Sequence, residues 1–463
     1  MAVRSSLSRP LLVIAGVLLL AVLPLFAGDL VRTFHIDFVA FRCAGAAVTH
    51  GRNPYLESSL HPCESAAGLL PGLTMPVPYP PYALPFFAAL ALASEPVAWA
   101  IWTVALIAAT LAAARALAIV TGLPAIVTGS ALCALVLVPS LLLGQVAAFA
   151  LCAFALALLC LQRGAFGTAA AALAVSAILP NFALPLWIAS FVCIPRMRWP
   201  LAAAAGVLVL LSVLVTNAGD AWTYVTAVLP AHGRSELYAF WQLGIPATLA
   251  IAGVPSQTSV VLGYVAYAAA ILLGIAAGLR LRARFGGDVW ILAAVAAFTV
   301  AGSPFVHDFD VGFALPLSLM LLAASPSKLT AAAAICIATP WAFLTQDTGA
   351  SVAVVLPFLL VVAGAALDSS TIEAVVTVCA IAAVSVVGYR AGAPADLQLA
   401  AAHHLALHPA LPPDALAEER WRAFADATKS VRVASITRLP TYLALALLLL
   451  ASYRVKPAAS ASR

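Results

Sequence analysis

What most restricts this chain is the recurrence of its apolar runs. Between residues 10 and 453 one long stretch after another carries almost no charge, and the breaks are glycines, prolines and short charged turns. A bilayer core about 30 Å thick takes roughly 20 apolar residues as a helix. Within hydrocarbon only helices and closed barrels satisfy their own backbone. The runs lack the two-residue alternation of barrel strands, so helices are expected. Charged residues make up only 9% of the chain, against roughly 25% in soluble domains, and a water-soluble fold is not expected. The reading is therefore an all-α, polytopic transmembrane helical bundle.

Spans are expected at about 10–31, 97–118, 124–142, 145–161, 165–179, 182–194, 200–216, 258–279, 288–302, 311–325, 329–344, 351–367, 371–389 and 439–453. The first is long enough to remain as an anchor rather than be cleaved as a leader. With the N-terminus inside, the inner side holds Arg4, Arg9, Arg115, Arg163, Arg196, Arg198, Arg280, Arg282, Arg284, Lys328, Arg454, Lys456 and Arg463, with only Asp288, Asp368 and Glu373 beside them. That asymmetry follows the positive-inside rule. Counting 79–93 as a full span would invert every later loop, so this apolar stretch reads as juxtamembrane or partly inserted. Residues 1–389 are expected to form the main transmembrane unit. Residues 390–463 read as an amphipathic or disordered outer segment followed by a final span.

The first outer loop, about 29–96, concentrates titratable groups in a chain otherwise poor in them. It opens with His35-Ile-Asp37-Phe38, continues through Arg42 and a small-residue helix closed by Gly51, and turns at Arg52-Asn-Pro-Tyr55. Phe38, Phe41, Ala44, Ala47 and Val48 recur at helical spacing, as in a helix lying along the interface. Asp37 reads as a catalytic base at the membrane surface, or more plainly as a helix N-cap. Arg42 and Arg52 read as phosphate ligands or as headgroup contacts.

Further along, Tyr79-Pro-Pro, Gly144-Gln145 and Leu179-Pro-Asn181 each place a polar group at the outer end of an apolar run. Gln145 suits a polar ligand or a helix-to-helix hydrogen bond. The loop from Asn217 to Gly244 mixes Trp222, Tyr224, Arg234, Glu236, Trp241 and Gln242, as a sugar-binding surface or an aromatic belt would. Ser303-Pro-Phe-Val-His307-Asp308-Phe-Asp310 sets an imidazole and two carboxylates at the mouth of two apolar helices. There they suit acid–base work, a cation or water.

Other classes find little support. No histidine spacing matches a zinc site, and His403, His404 and His408 read as solvated. No P-loop, dinucleotide fingerprint or nucleophile elbow occurs, and no basic footprint for nucleic acid. No metal or other cofactor is expected. Cys43 and Cys63 share the outer loop, and whether they pair is left open.

In order and spacing, Asp37-Phe-x-x-Phe…Gly51-Arg-Asn-Pro-Tyr55, Tyr79-Pro-Pro, Gly144-Gln145 and Ser303-Pro…Asp310 resemble the polyprenyl-phosphate-dependent glycosyltransferases of the GT-C class, in particular glycosyltransferase family 87, over about residues 30–320. The resemblance implies a GT-C type bundle with juxtamembrane helices in the first outer loop. It also implies an integral inner-membrane enzyme that moves a sugar, with mannose or arabinofuranose as the family's precedent. The donor would be a polyprenyl-phosphate carrier and the acceptor an extracytoplasmic lipid, glycan or protein. Asp37 corresponds to the family's general base. Arg42, Arg52, Tyr55, Tyr79, Gln145, Asn181, Arg234, Gln242, His307, Asp308 and Asp310 are the expected substrate-binding residues.

Two departures stand out: a lysine common near Asn181 is absent, and the mannosyltransferases' Ser-Trp and His pair after Ser-Pro are replaced by Phe-Val-His307-Asp-Phe-Asp310. The rival readings are a secondary transporter, which calls for midplane charge and internal repeats, and an O-antigen ligase or polymerase type of enzyme.

Overall fold

The computed structural model describes residues 35–69, 72–216, 218–341, 400–401, 405, 411–429 and 431–454 of the chain. The spans expected at 10–31, 351–367 and 371–389 lie outside the described residues, as do His403, His404 and His408. Among the described residues every regular element is helical, and β pairing is confined to one isolated antiparallel bridge between Leu56 and Leu416.

Three short helices come first: α1 (Ile36–Thr49), α2 (Glu57–Ala66) and α3 (Leu84–Ala91). The stretch before α3 is a 3-10 turn, Pro81–Ala83. At about 1.5 Å per residue, α3 is far too short to cross a bilayer. The bundle follows: α4 (Glu95–Thr121), α5 (Ala125–Leu143), α6 (Ala147–Gln162), α7 (Phe166–Ser176), α8 (Pro180–Cys193) and α9 (Arg198–Thr216). A run of helical turns from Ala218 leads into α10 (Leu229–Ser235) and then α11 (Ile245–Ile251). Next are α12 (Ser256–Phe285), α13 (Val289–Gly302), α14 (Leu315–Ala324), α15 (Lys328–Ala338), α16 (Ala417–Ala427) and α17 (Val431–Arg454).

Among the described residues only α4, α5, α12 and the stretch 195–216 containing α9 are individually long and apolar enough to cross a membrane. The other expected spans that are described form shorter apolar helices. The 14 residues of α13 reach about 21 Å, well short of the bilayer core. The shortening has a local cause at one end. There α5 and α13 end at Gly144-Gln145 and Ser303-Pro304, where the backbone unwinds, and α8 begins at Pro180-Asn181 after the turn 177–179. Such irregular backbone is tolerated at membrane depth only when buried in protein, and Ser303 is wholly buried.

Lipid-facing surface is equally legible. Val207, Val209, Leu210 and Leu214 on α9, Val261, Val265 and Leu272 on α12, and Ile101, Val104 and Leu111 on α4 are all exposed. By contrast α13 is buried along nearly its whole length. It packs on α12 through Gly274-x-x-x-Gly278, where a Cβ on Gly274 would come 2.7 Å from the Val295 Cα. Small residues at this spacing let two membrane helices approach backbone to backbone.

The two ends of the bundle differ in charge. At one end Arg282 pairs with Asp288 (3.0 Å), Arg280 donates to the Tyr453 carbonyl (3.2 Å) and Arg196 lies over the Phe166 ring. The opposite end carries Asp37, Gln145, Asn181, Ser303 and His307. Also there, a disulfide joins Cys43 of α1 to Cys63 of α2, which settles the pairing the sequence left open. Because it closes a loop of about 20 residues, Cys63→Ser is expected to cost about 3 kcal/mol. Thermal unfolding in detergent checks this: reductant should bring the wild-type midpoint down to that of the variant and leave the variant itself unmoved.

The segment after residue 410 is ordered where described. Leu416 bridges Leu56, Ser58 donates to the Pro413 carbonyl (2.6 Å) and Arg420 approaches Glu57 (3.7 Å). Of the two expectations for this segment, the amphipathic one describes α16, which buries Trp421, Phe424 and Ala425.

Candidate active site

Asp37 enters the site from the first turn of α1. The N-cap position belongs to His35, a non-glycine residue with φ of +52°, and Asp37 makes no capping bond. The His35 N–H donates instead to the Leu142 carbonyl (2.6 Å), tying the start of α1 to the end of α5. Asp37 is thereby turned toward Gln145, whose Nε2 donates to its Oδ2 (2.7 Å).

From there a hydrogen-bonded chain runs outward. The Tyr79 hydroxyl donates to Gln145 Oε1 (3.0 Å), and the Tyr55 hydroxyl donates to the Tyr79 carbonyl (2.9 Å). Four expected site residues, Asp37, Gln145, Tyr79 and Tyr55, thus form one continuous unit. Gln145 thus makes hydrogen bonds between elements, the plainer of its two expected uses.

A second layer holds the turn before α14. Asn181 Nδ2 donates to the Phe305 carbonyl (2.7 Å) and approaches Ser303 Oγ (3.3 Å). Gln242 Oε1 accepts from the N–H groups of Val306 (2.7 Å) and Gly244 (3.1 Å). Both amides therefore shape the Ser303–His307 turn. His307 caps the 3-10 turn Asp308–Ala314, and its own N–H donates to Asp310 Oδ2 (2.9 Å). Its Nε2 lies 3.0 Å from Glu236 Oε2. The other Glu236 oxygen accepts from Trp421 Nε1 of α16 (2.6 Å).

Burial sets the electrostatics. Asp37 is 8% exposed, and burial lifts its carboxyl to about 7, partly offset by the Gln145 hydrogen bond and by His307, with Glu236 adding to the rise. Asp308 and Asp310 are likewise pushed up by burial, to about 6 and about 7, against the pull of His307. For His307 burial works against protonation, but the Glu236 carboxylate, with help from Asp310 and Asp308, outweighs it and leaves the imidazole at about 9. Asp37, His307, Glu236 and Asp310 therefore act on one another across the same buried space.

The expected arginines lie elsewhere. Arg42 donates to the Ala93 carbonyl (3.2 Å), while Arg52 and Arg234 are exposed. None of the three bonds to the Asp37 unit or to His307. Three contributors were not among the expected site residues: Glu236, Trp421 and His232. His232 is buried against Phe305 (4.1 Å between rings), and neither of its ring nitrogens has a hydrogen-bond partner among the described residues. Asp308 Oδ2 and Asp310 Oδ1 are buried and unpartnered in the same way. Buried polar atoms are ordinarily paired, so these suit a hydroxyl-rich or hydrated ligand. Among the described residues no group of three or more His, Cys, Asp or Glu side chains is arranged to hold a metal ion.

Chemically, the site offers a carboxylate that titrates near neutrality, a hydrogen-bond donor holding one of its oxygens, and an imidazolium nearby. Residues 78–306 match the model of glycosyltransferase family 87. The matched stretch takes in Tyr79, Gln145, Asn181, Glu236 and Gln242 and ends one residue before His307, while Asp37 precedes it. No curated protein and no solved structure matches the chain.

Proposed function

We propose that this chain, which belongs to glycosyltransferase family 87 and is a membrane glycosyltransferase, transfers a sugar from a polyprenyl-phosphate carrier to an extracytoplasmic acceptor, with inversion and with Asp37 as general base. The observation that carries the reading is the buried Asp37 carboxyl, held on one oxygen by Gln145 and poised at about 7. A base works best when its pKa lies near the working pH.

In this reading the acceptor hydroxyl gives its proton to Asp37 as its oxygen bonds to the anomeric carbon. The bond from that carbon to the phosphate oxygen breaks on the opposite face. Its electron pair leaves with the lipid phosphate, which needs no general acid but gains from positive charge. His307, rather than Arg42, Arg52 or Arg234, is the first candidate for that charge, because it alone interacts with Asp37 across the buried space. Tyr55 and Tyr79 position the base through Gln145. Asp308 and Asp310 offer unpartnered acceptors to sugar hydroxyls. Residues 1–389 would form the catalytic unit, and mannose or arabinofuranose is the family's precedent for the sugar.

Two observations support an outward-facing site in a bacterial inner membrane. The Cys43–Cys63 disulfide belongs to an oxidising compartment, and the arginine-bearing helix ends lie at the opposite end of the bundle.

Purified protein incubated with defined polyprenyl-phosphate sugars tests the reading. Release of carrier phosphate together with sugar transfer is expected, and a protein that releases none from any such donor is not this enzyme. The pH profile sharpens the test. Transfer is expected to rise through about pH 7 as Asp37 loses its proton and to fall through about pH 9 as His307 loses its own. A rate that is flat between those limbs and beyond them would count against both assignments.

A further inference from the structure

Of the side chains around the buried space, Glu236 has the least freedom. Its Oε1 accepts from Trp421 and its Oε2 meets His307 Nε2, and the residue is 4% exposed. The tryptophan is itself held, with its ring near Trp241 (5.7 Å) and Phe424 (5.1 Å), on a helix that docks against the first outer loop. A carboxylate spanning an indole N–H and an imidazole cannot swing toward solvent. Each of its two oxygens already has a partner within the protein.

We infer that Glu236, pinned by Trp421 of the returning 411–429 segment, is a positioning residue that keeps His307 an imidazolium turned toward the departing phosphate. The inference rests on the reading of His307 in the proposed transfer and adds what holds that ring in its charged form.

The neighbours of His307 narrow the source of the effect. His232 and Glu236 face it from α10 and its C-terminal end, Asp308 and Asp310 from its own turn, and Asp37 from α1. Tyr79 lies within range of Asp37, Asp310 and Glu236. Asp310 stands farther from the ring, 3.9 Å against 3.0 Å for Glu236. Asp37, Asp308 and Asp310 are all pushed up by burial toward the neutral range. For Glu236 burial acts in the same direction, but His307, His232 and the Trp421 bond outweigh it and hold the carboxyl below its ordinary value. It is thus the neighbour whose charge burial does not weaken, and the one nearest the ring. Burial pushes the His232 imidazole down, to about 4, against the pull of Glu236.

Glu236→Gln keeps the shape and an acceptor oxygen for Trp421 while removing the charge and turning an NH2 donor toward His307. The test titrates the His307 ring by NMR in ¹⁵N-histidine-labelled full-length protein, its signal identified by loss in His307→Gln, alongside the pH profile of transfer. In the wild type the ring should stay protonated past pH 8; titration near an ordinary histidine would overturn the inference without any variant. In Glu236→Gln the ring and the alkaline limb of transfer should both move down by about one pH unit or more, the scale of losing an adjacent opposite charge. A residue that is merely structural would lower the plateau and leave both the ring's titration and the limb where they were, which would also overturn the inference. A ring that shifts while the limb does not would uphold Glu236 as the keeper of the charge and remove His307 from the phosphate.

Discussion

Asp37→Asn is expected to fold normally and to lose about 10²–10⁴-fold in transfer, the span that a positioned general base supplies. The fold should tolerate the change because the asparagine carbonyl still accepts from Gln145 Nε2, and burial already penalises the charge that the substitution removes. The donor's KM should stay close to that of the wild type, since the lost interaction is made only as the acceptor proton moves. Single-turnover release of carrier phosphate, measured with the thermal midpoint of the same preparation, separates loss of chemistry from loss of structure. Transfer at the wild-type rate would remove Asp37 from the mechanism.

Gly144→Ala is expected to do the reverse, damaging the fold first and the chemistry as a consequence. Gly144 ends α5 with φ of +87°, a conformation that costs an L-residue roughly 1–2 kcal/mol. A Cβ there would lie 2.5 Å from the Phe38 Cβ and 2.7 Å from the Phe38 backbone nitrogen, and backbone cannot give way cheaply. Overpacking of this kind adds about 1–3 kcal/mol, for a total of about 2–5 kcal/mol. Relief of the clash would push α1 away from Gln145, the next residue, and separate its amide from Asp37. Gly129→Ala is the control, because its nearest new neighbour is the Ala114 Cβ at 3.8 Å in an ordinary helix. Thermal unfolding in detergent should place the control at the wild-type midpoint and Gly144→Ala well below it. Equal midpoints would show that the close approach of α1 and α5 does not matter.

The contrast between these residues shows which parts of the site can be read from sequence. Asp37, Tyr79, Gln145, Asn181 and Ser303 announce themselves because each interrupts a long apolar run. Polar groups and helix breaks at such places are costly in a membrane protein unless they are satisfied. Glu236 gives no comparable signal. It sits in a loop already rich in polar and aromatic residues, and its importance comes from partners 71 and 185 positions away in the chain, His307 and Trp421. The arginines misdirect for a related reason: a guanidinium is conspicuous in the sequence, but the direction it points is not. Arg42 follows Asp37 by five residues on the same helix and ends on the Ala93 carbonyl.

The sequence by itself determined that the chain is a helical membrane bundle and where many of its helices end, since both follow from hydropathy and from the local cost of leaving backbone unpaired. Only the tertiary structure decided that several apolar runs are too short to cross alone, that Cys43 meets Cys63, that the late segment returns to the first loop, and that His307 pairs with Glu236. These depend on which side chains share one desolvated volume. That is settled by the packing of helices distant in sequence, and no local spacing encodes it.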